Sequence, residues 1–548
     1  MAGNSVGLGG RGYRRRSVLR GVGAAGIGGL AGCIRSNDGT KAEGDAEKLI
    51  KAGFAETGVE PPFRTTIAIT EDDEREQFAQ LFKATLDGTG FFDVSIDSQE
   101  FRSHVDLMRN AAARDVNAMF VASWTGGWDP DSYVNMLFHS DNHTPNGFNV
   151  GHYANEAVDD GIDAGLVETD PDERIAIYRR LQETLVADSP ISFVRFSEST
   201  HVWDADTVSG WQTYPLEPGA YYAVYAPWAG TYTELDDGSE FVGDLGSDIA
   251  TTDPVSMTDT VSSHATALVY EGLVAVDFDG ESQPLLATDW ERLDGTTVRM
   301  HLREGVQFHN GEELTAAHVA GSFERYEGTL RETDVYDWYE GSEIVDDHTI
   351  DIECWREYGP LETALFNVPI VPMAAIDGEH DLESEPVGTG PYRFGDYDSG
   401  SHWRLERFDD HWFEGDDTVP STAPVETVTL EIITETASRQ AALEAGNIDF
   451  SYGLPSANVS EFESDGAYGV GRHIGGGFDM VIYPCYRAPF TSAKVRRGCN
   501  MLLPRTETLE TVYDGVGQLA YTPISPLLEA YSDETFQETI ADEYVRQN

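Results

Sequence analysis

The chain of 548 residues carries 96 acidic and 36 basic side chains, a formal net charge of −60. Such a field repels nucleic acid and anionic membrane surfaces, so a nucleic-acid partner is excluded. The length points to two to four domains, and 40% hydrophobic content with 10 Trp, 24 Tyr and 25 Phe is that of a globular chain, not a disordered one.

The basic residues are nearly all Arg; the lysines are Lys41, Lys48, Lys51, Lys83 and Lys494. At molar salt the screening length falls to about 3 Å and most self-repulsion disappears. An acidic, Lys-poor chain whose longest acidic clusters are as short as Glu71–Glu74 reads as adapted to high salt.

Residues 1–33 read as an address. Arg15-Arg16-Ser17-Val18-Leu19 and a Gly/Ala-rich run ending in Leu30-Ala31-Gly32-Cys33 form a twin-arginine export signal joined to a lipobox. Cys33 is then the lipidated residue, and two acyl chains hold the protein at the outer face of the cell membrane. Residues 34–44 are small and polar, a tether. Cys354, Cys485 and Cys499 show no metal-ligand spacing; a Cys485–Cys499 disulfide and three buried thiols both stay open.

A helix is expected over Asp45–Phe54, a strand over 64–70, then a helix placing Phe78, Leu81, Phe82 and Leu86 on one face before Gly88. A strand, a helix and a third strand at 116–124 follow, which argues for a parallel α/β layer. Asp170 as cap with Pro171 and Glu173 starts a helix whose buried stripe is Ile175, Tyr178, Leu181 and Leu185. Composition breaks near Ala229-Gly230. Beyond it come a strand at 297–303, a turn at Gly311, and a helix capped at Thr315 that packs Val319 on Phe323. Strand, helix and strand then run from 424 to 450, with Gly446 as the stop.

Residues 272–325, "PVGTGPYRF" at 386–394, "RQAALEAGNIDF" at 439–450 and 488–517 resemble, in that order, the peptide- and nickel-type (family 5) solute-binding proteins of ABC importers. "WTGGWDPDSYVNMLF" at 124–138 and 170–196 resemble them too, but in that family these stretches come after the others. "DAEKLIKAGF" at 45–54 is similar to the segment that would follow residue 548. The resemblance therefore implies a circularly permuted order.

It further implies an α/β, two-lobed hinged, periplasmic-binding-protein-like fold of type II with an extra small domain. Residues 45–195 are then the second lobe, 196–270 first lobe, 271–387 the extra domain, 388–484 first lobe again and 485–548 second lobe again. The implied role is a cell-surface receptor delivering a peptide or related small solute to an ABC permease. The alternative is a surface sensor or chaperone-like peptide binder without transport.

No G-x-S-x-G, H-E-x-x-H or phosphate-loop pattern occurs, so neither catalysis nor a cofactor is expected. His301, His309 and His318 read as surface or strand-edge residues, not metal ligands. In the resembled family Trp124 covers the ligand, and an Asp pairing with its ammonium group stands where this chain has Gly127. Val121 replaces an Arg of some oligopeptide binders, so a zwitterionic peptide is disfavoured. Asp129 either takes the ammonium role or caps the helix from Pro130. Trp128 adds a stacking face, Asp248 is a second candidate contact, and "YDWYEG" at 336–341 is either an aromatic lid or core. The tripeptides at Asn142 and Asn458 fit glycosylation.

Overall fold

The computed structural model describes residues 39–546 apart from 217–218, 237 and 455. Cys33, the export signal and residues 34–38 lie outside the described residues. Strands β1 (Phe63–Thr70), β2 (Phe92–Gln99) and β3 (Ala118–Thr125) form the parallel layer, with β1 paired to both others. The helix between β1 and β2, Asp73–Gly88, starts where Asp72 accepts from the Arg75 N–H at 2.8 Å. It buries Phe78, Ala79, Phe82 and Leu86, while Leu81 is half-buried at the stripe's edge.

Two strands of 14 and 15 residues, β4 (Ile191–Asp204) and β6 (Tyr468–Ile482), run antiparallel through this sheet. With the short β5 (Phe450–Ser451) the order is β5-β4-β6-β3-β1-β2, and β7 (Gln518–Leu519) pairs with β4. The pairing of β4 and β6 breaks register between Ile474 and Phe478, across Gly475-Gly476-Gly477. On one side of the break Phe193 and Phe478 pack in a core with Tyr133 and Tyr178. On the other, Val202 packs with Leu443, Ile448 and Phe462. The long strands thus pass from one core to another at a glycine bulge, where a side chain on Gly476 would collide with the Gly126 carbonyl.

A second sheet orders strands 392–398, 402–407, 427–432 and 240–245, the last pair parallel. A third, antiparallel, orders 287–292, 297–302, 349–354 and 339–346. Trp338 and Tyr339 are buried there, edge-on to Phe323, so the 336–341 segment is core and not a lid.

The helix Pro171–Asp188 is capped by Asp170, which accepts from Asp172 and Glu173 N–H. Its buried face is Arg174, Tyr178, Leu181, Gln182, Leu185 and Val186; Ile175 is only half-buried. Arg174 turns inward because Asp129 neutralises it there. The three histidines serve local structure. His309 bridges Gly388 and Gly390, and burial pushes it down to about 4. His318 completes the capping box at Thr315, and His301 stands half-exposed beside Asp289. Among the described residues no group of His, Cys, Asp and Glu is arranged to hold a metal, and Cys354, Cys485 and Cys499 are free thiols.

The helix Ala493–Leu502 has neighbours from both early and late sequence. The helix Gly39–Thr57, which reaches back into the stretch expected as tether, brings the Ala46 carbonyl to 2.9 Å from where a Cβ on Gly498 would stand. From the other side, Arg497 donates to the carbonyls of Glu543 and Tyr544 at 3.2 and 3.3 Å. The compositional break at 229–230 is a tight turn: Pro227–Ala229, with Gly230 at φ +67°, joins the paired strands Tyr225–Ala226 and Thr231–Tyr232.

Candidate functional site

β3 ends at Trp124-Thr125 and runs into the loop Gly126-Gly127-Trp128-Asp129, where neighbouring residues have distinct tasks. Gly126 donates to Gly476 O at 3.0 Å, and the Tyr133 ring fills the space where its side chain would be. Gly127 donates to Ser132 Oγ at 2.9 Å and has open space where a Cβ would point. Trp124 donates from Nε1 to Ser132 O at 2.8 Å and meets the ring of Phe148 edge-on at 5.4 Å.

Trp128 is 9% exposed and donates from Nε1 to Tyr214 Oη at 2.9 Å, while that hydroxyl donates to Val276 O, also at 2.9 Å. The hairpin turn at Gly280, φ +86°, presses on the indole so closely that a Cβ would stand 2.8 Å from it. Only glycine combines that φ with that approach.

Asp129 is an ion-pair partner and a cap. Arg174 donates from Nη1 and Nη2 to its two oxygens at 2.8 and 2.9 Å, and Oδ1 also accepts from the Asp131 N–H. The capping alternative therefore describes its geometry, and both oxygens are already engaged. Burial, with Asp129 adjacent, pushes the Asp131 carboxyl up to about 6. Asp248 is exposed and closes the 398–402 turn, accepting from Gly400 N–H, Ser399 and Tyr397; the Gly400 bond foremost holds its carboxyl below the usual range.

Two cavities flank Trp128. The first, about 550 Å³, is walled by Gly127 and Trp128, by Tyr214, Tyr222 and Trp228, and by Asp259 and Glu271. The second, about 1470 Å³ and more open, is walled by Trp128, Asp129, Arg174, Arg179 and Glu362. The predicted residues thus divide: Gly127 and Trp128 meet at the first cavity, Asp129 lies at the second, and Trp124 and Asp248 line neither. Missed by sequence reasoning were Tyr214, Tyr222 and Trp228, although "YPLEPGAYYAVYAPW" at 214–228 is visibly aromatic.

A further buried carboxylate lies in the other core. Asp244, fully buried, accepts from Ser451 Oγ at 2.8 Å, and Arg439 Nε lies 3.8 Å away. Burial pushes its carboxyl up to about 6, against the opposing pull of Ser451 and Arg439.

Residues 281–545 match the family described as bacterial extracellular solute-binding proteins, family 5 middle. Heme-binding protein A of Haemophilus influenzae is 26% identical over 281 residues, 46% of this chain and 50% of that one. The glutathione-binding protein GsiB of Pectobacterium atrosepticum is 24% identical over 287 residues, 51% and 55% of the two chains. The chain thus spans about half the length of these curated relatives. Among solved structures, the ABC transporter-associated periplasmic binding protein DppA from Helicobacter pylori, in complex with the peptide STSA, is 26% identical. It covers 41% of this chain and 49% of its own, with a TM-score of 0.37. Among the described residues no helix is long and apolar enough to cross a membrane. The mixed α/β architecture is that expected, and residues 281–545 are similar to family 5 of the extracellular solute-binding proteins.

Proposed function

We propose that this chain is a cell-surface receptor that encloses a small solute and presents it to an ABC import permease. The observation that carries the reading is the 550 Å³ cavity at Trp128, where the β3 loop meets residues 214–228 and 254–272. A pair of long strands with a glycine bulge beside it supplies a place for two halves to turn. Closure then follows from a solute that binds the shut form more tightly than the open one. On this reading Cys33 carries the lipid anchor, and the acidic, Lys-poor surface suits high salt.

The permuted order is part of the same proposal. It is supported by the helix Ala493–Leu502, which seats Ala46 and the carbonyls of Glu543 and Tyr544 together, and by the tight turn at 227–230. The lobes then follow the boundaries expected above: 45–195 with 485–548, and 196–270 with 388–484, the extra domain being 271–387.

A thermal-shift screen of amines, peptides, sugars and metal chelates in molar salt tests the receptor. A solute at 100 times its dissociation constant adds about 2.7 kcal/mol, and a silent screen contradicts the reading. Melts repeated at about 0.1 M salt, where the Debye length is about 10 Å, should fall sharply; unchanged melting removes the halophile element.

A further inference from the structure

Resting on the receptor reading, we infer that the cavity beside Trp128 takes a compact organic cation bearing no carboxylate or phosphate. Three carboxylates, Asp259, Glu271 and Asp334, stand in its wall with one guanidinium, Arg331. That guanidinium is already committed. It pairs with Asp334 at 2.7 Å and donates to Pro254 O at 3.0 Å and Asn367 O at 3.4 Å. An entering anion would find no free countercharge among these wall residues and would lose its hydration without replacement.

Glu271 is 6% exposed and has neither Arg nor Lys as a salt-bridge partner among the described residues. Its Oε2 accepts from Thr389 Oγ1 at 2.8 Å and Trp412 Nε1 at 2.9 Å, and His411 Nε2 lies 3.3 Å from Oε1. Thr389 and Trp412 hold the carboxylate through neutral donors, and the nearest guanidinium, Arg303, is stacked over the Trp412 ring at 4.1 Å rather than paired with Glu271. Asp259, whose Oδ1 accepts from the Ser262 N–H, adds a second charge.

The wall is also aromatic. Tyr222 meets Tyr214 edge-on at 5.2 Å and Trp228 edge-on at 5.5 Å, making a corner of rings next to Trp128. Ring faces attract a cation within about 6 Å of the centroid. The polar ends of Trp128 and Tyr214 are spent on each other and on Val276, so this wall offers those two handles to no hydroxylated neutral ligand. A cavity of about 550 Å³ lies within the range of small-molecule sites.

The test measures the melting temperature of the full protein in molar salt against choline and benzylamine, the neutral tert-butyl isostere of choline, glucose, and an alanyl dipeptide. The expected result is saturable stabilisation by at least one cation, with the isostere, sugar and dipeptide at least ten-fold weaker. Trp228→Ala should weaken the cation at least five-fold and Trp228→Phe should restore most of the loss, which separates a ring contact from misfolding. Stabilisation by isostere or glucose equal to that by either cation overturns the charge argument while leaving the receptor standing. A dipeptide that outcompetes both cations does the same. Silence from all five probes, with the broader screen also silent, removes the receptor reading with it.

Discussion

Residues 63–204 and residues 281–545 meet in one sheet on unequal terms. The earlier region supplies β1, β2 and β3 as a parallel layer formed by neighbours in sequence, each β-branched or apolar run separated by an amphipathic helix. The later region, which carries the family match, contributes β6 as an insert between β3 and β4. Its Phe478, Met480, Val481 and Ile482 are buried only because both neighbours come from the other region. Local contacts can build the first region part-way, whereas β6 has no core until the first arrives, although the rest of the later region shares a core with 208–276 that takes no buried residue from 63–204.

The largest effect should come from separating them. Residues 230–548 produced alone would expose both edges of β6 and are expected to aggregate, with soluble folded protein recovered when 39–228 is co-produced. A soluble, cooperatively melting 230–548 would break the comparison.

Next is the Asp129–Arg174 pair. Arg174→Ala leaves a buried carboxylate unpaired and should cost about 3–5 kcal/mol in denaturant unfolding. A loss under 1 kcal/mol would mean that water reaches the pair freely.

A smaller effect is expected at the contact between the regions, where the Gly126 N–H donates to Gly476 O. Gly126→Ala would drive a methyl into the Tyr133 ring, costing about 1–3 kcal/mol. An unchanged urea midpoint would show that the loop adapts.

The smallest is pH dependence at Asp244. Its folded carboxyl is raised from 3.8 to about 6, so the stability it contributes is full below about 3.8 and is lost as pH rises through about 6. Wild type should therefore weaken relative to Asp244→Asn between about pH 4 and pH 7. Parallel curves for the two proteins would contradict the buried, under-paired geometry.

Several elements were legible because their signals are local: the Asp170 cap, the Phe78–Leu86 face, and glycines at turn positions such as Gly311 and Gly446. The site was legible only in part. Gly127 could be singled out by resemblance and Trp128 as an aromatic surface, but the rings that adjoin Trp128 are Tyr214, Tyr222 and Trp228, and nothing along the sequence says which loops converge. Arg174 was hidden for a related reason. Helix periodicity assigns burial to apolar Ile175, and only the tertiary arrival of Asp129 makes it favourable to turn a guanidinium inward. Asp248 is seen to accept from Gly400 N–H in a turn, a role that looks the same in sequence as a strand-end contact.

The central claim is that 230–546 and 45–228 form one receptor read in permuted order, and reconnection tests it most directly. Joining 230–546 through a short flexible linker to 45–228 opens the turn at 227–230 and closes the gap across the helix Ala493–Leu502. Loop closure changes by only about 0.6 kcal/mol for each doubling of length. The account predicts a folded protein whose melting temperature in molar salt lies within a few degrees of the natural chain and whose response to the same solute is within a few-fold. An aggregated product, or a folded one that has lost the solute response, would contradict it.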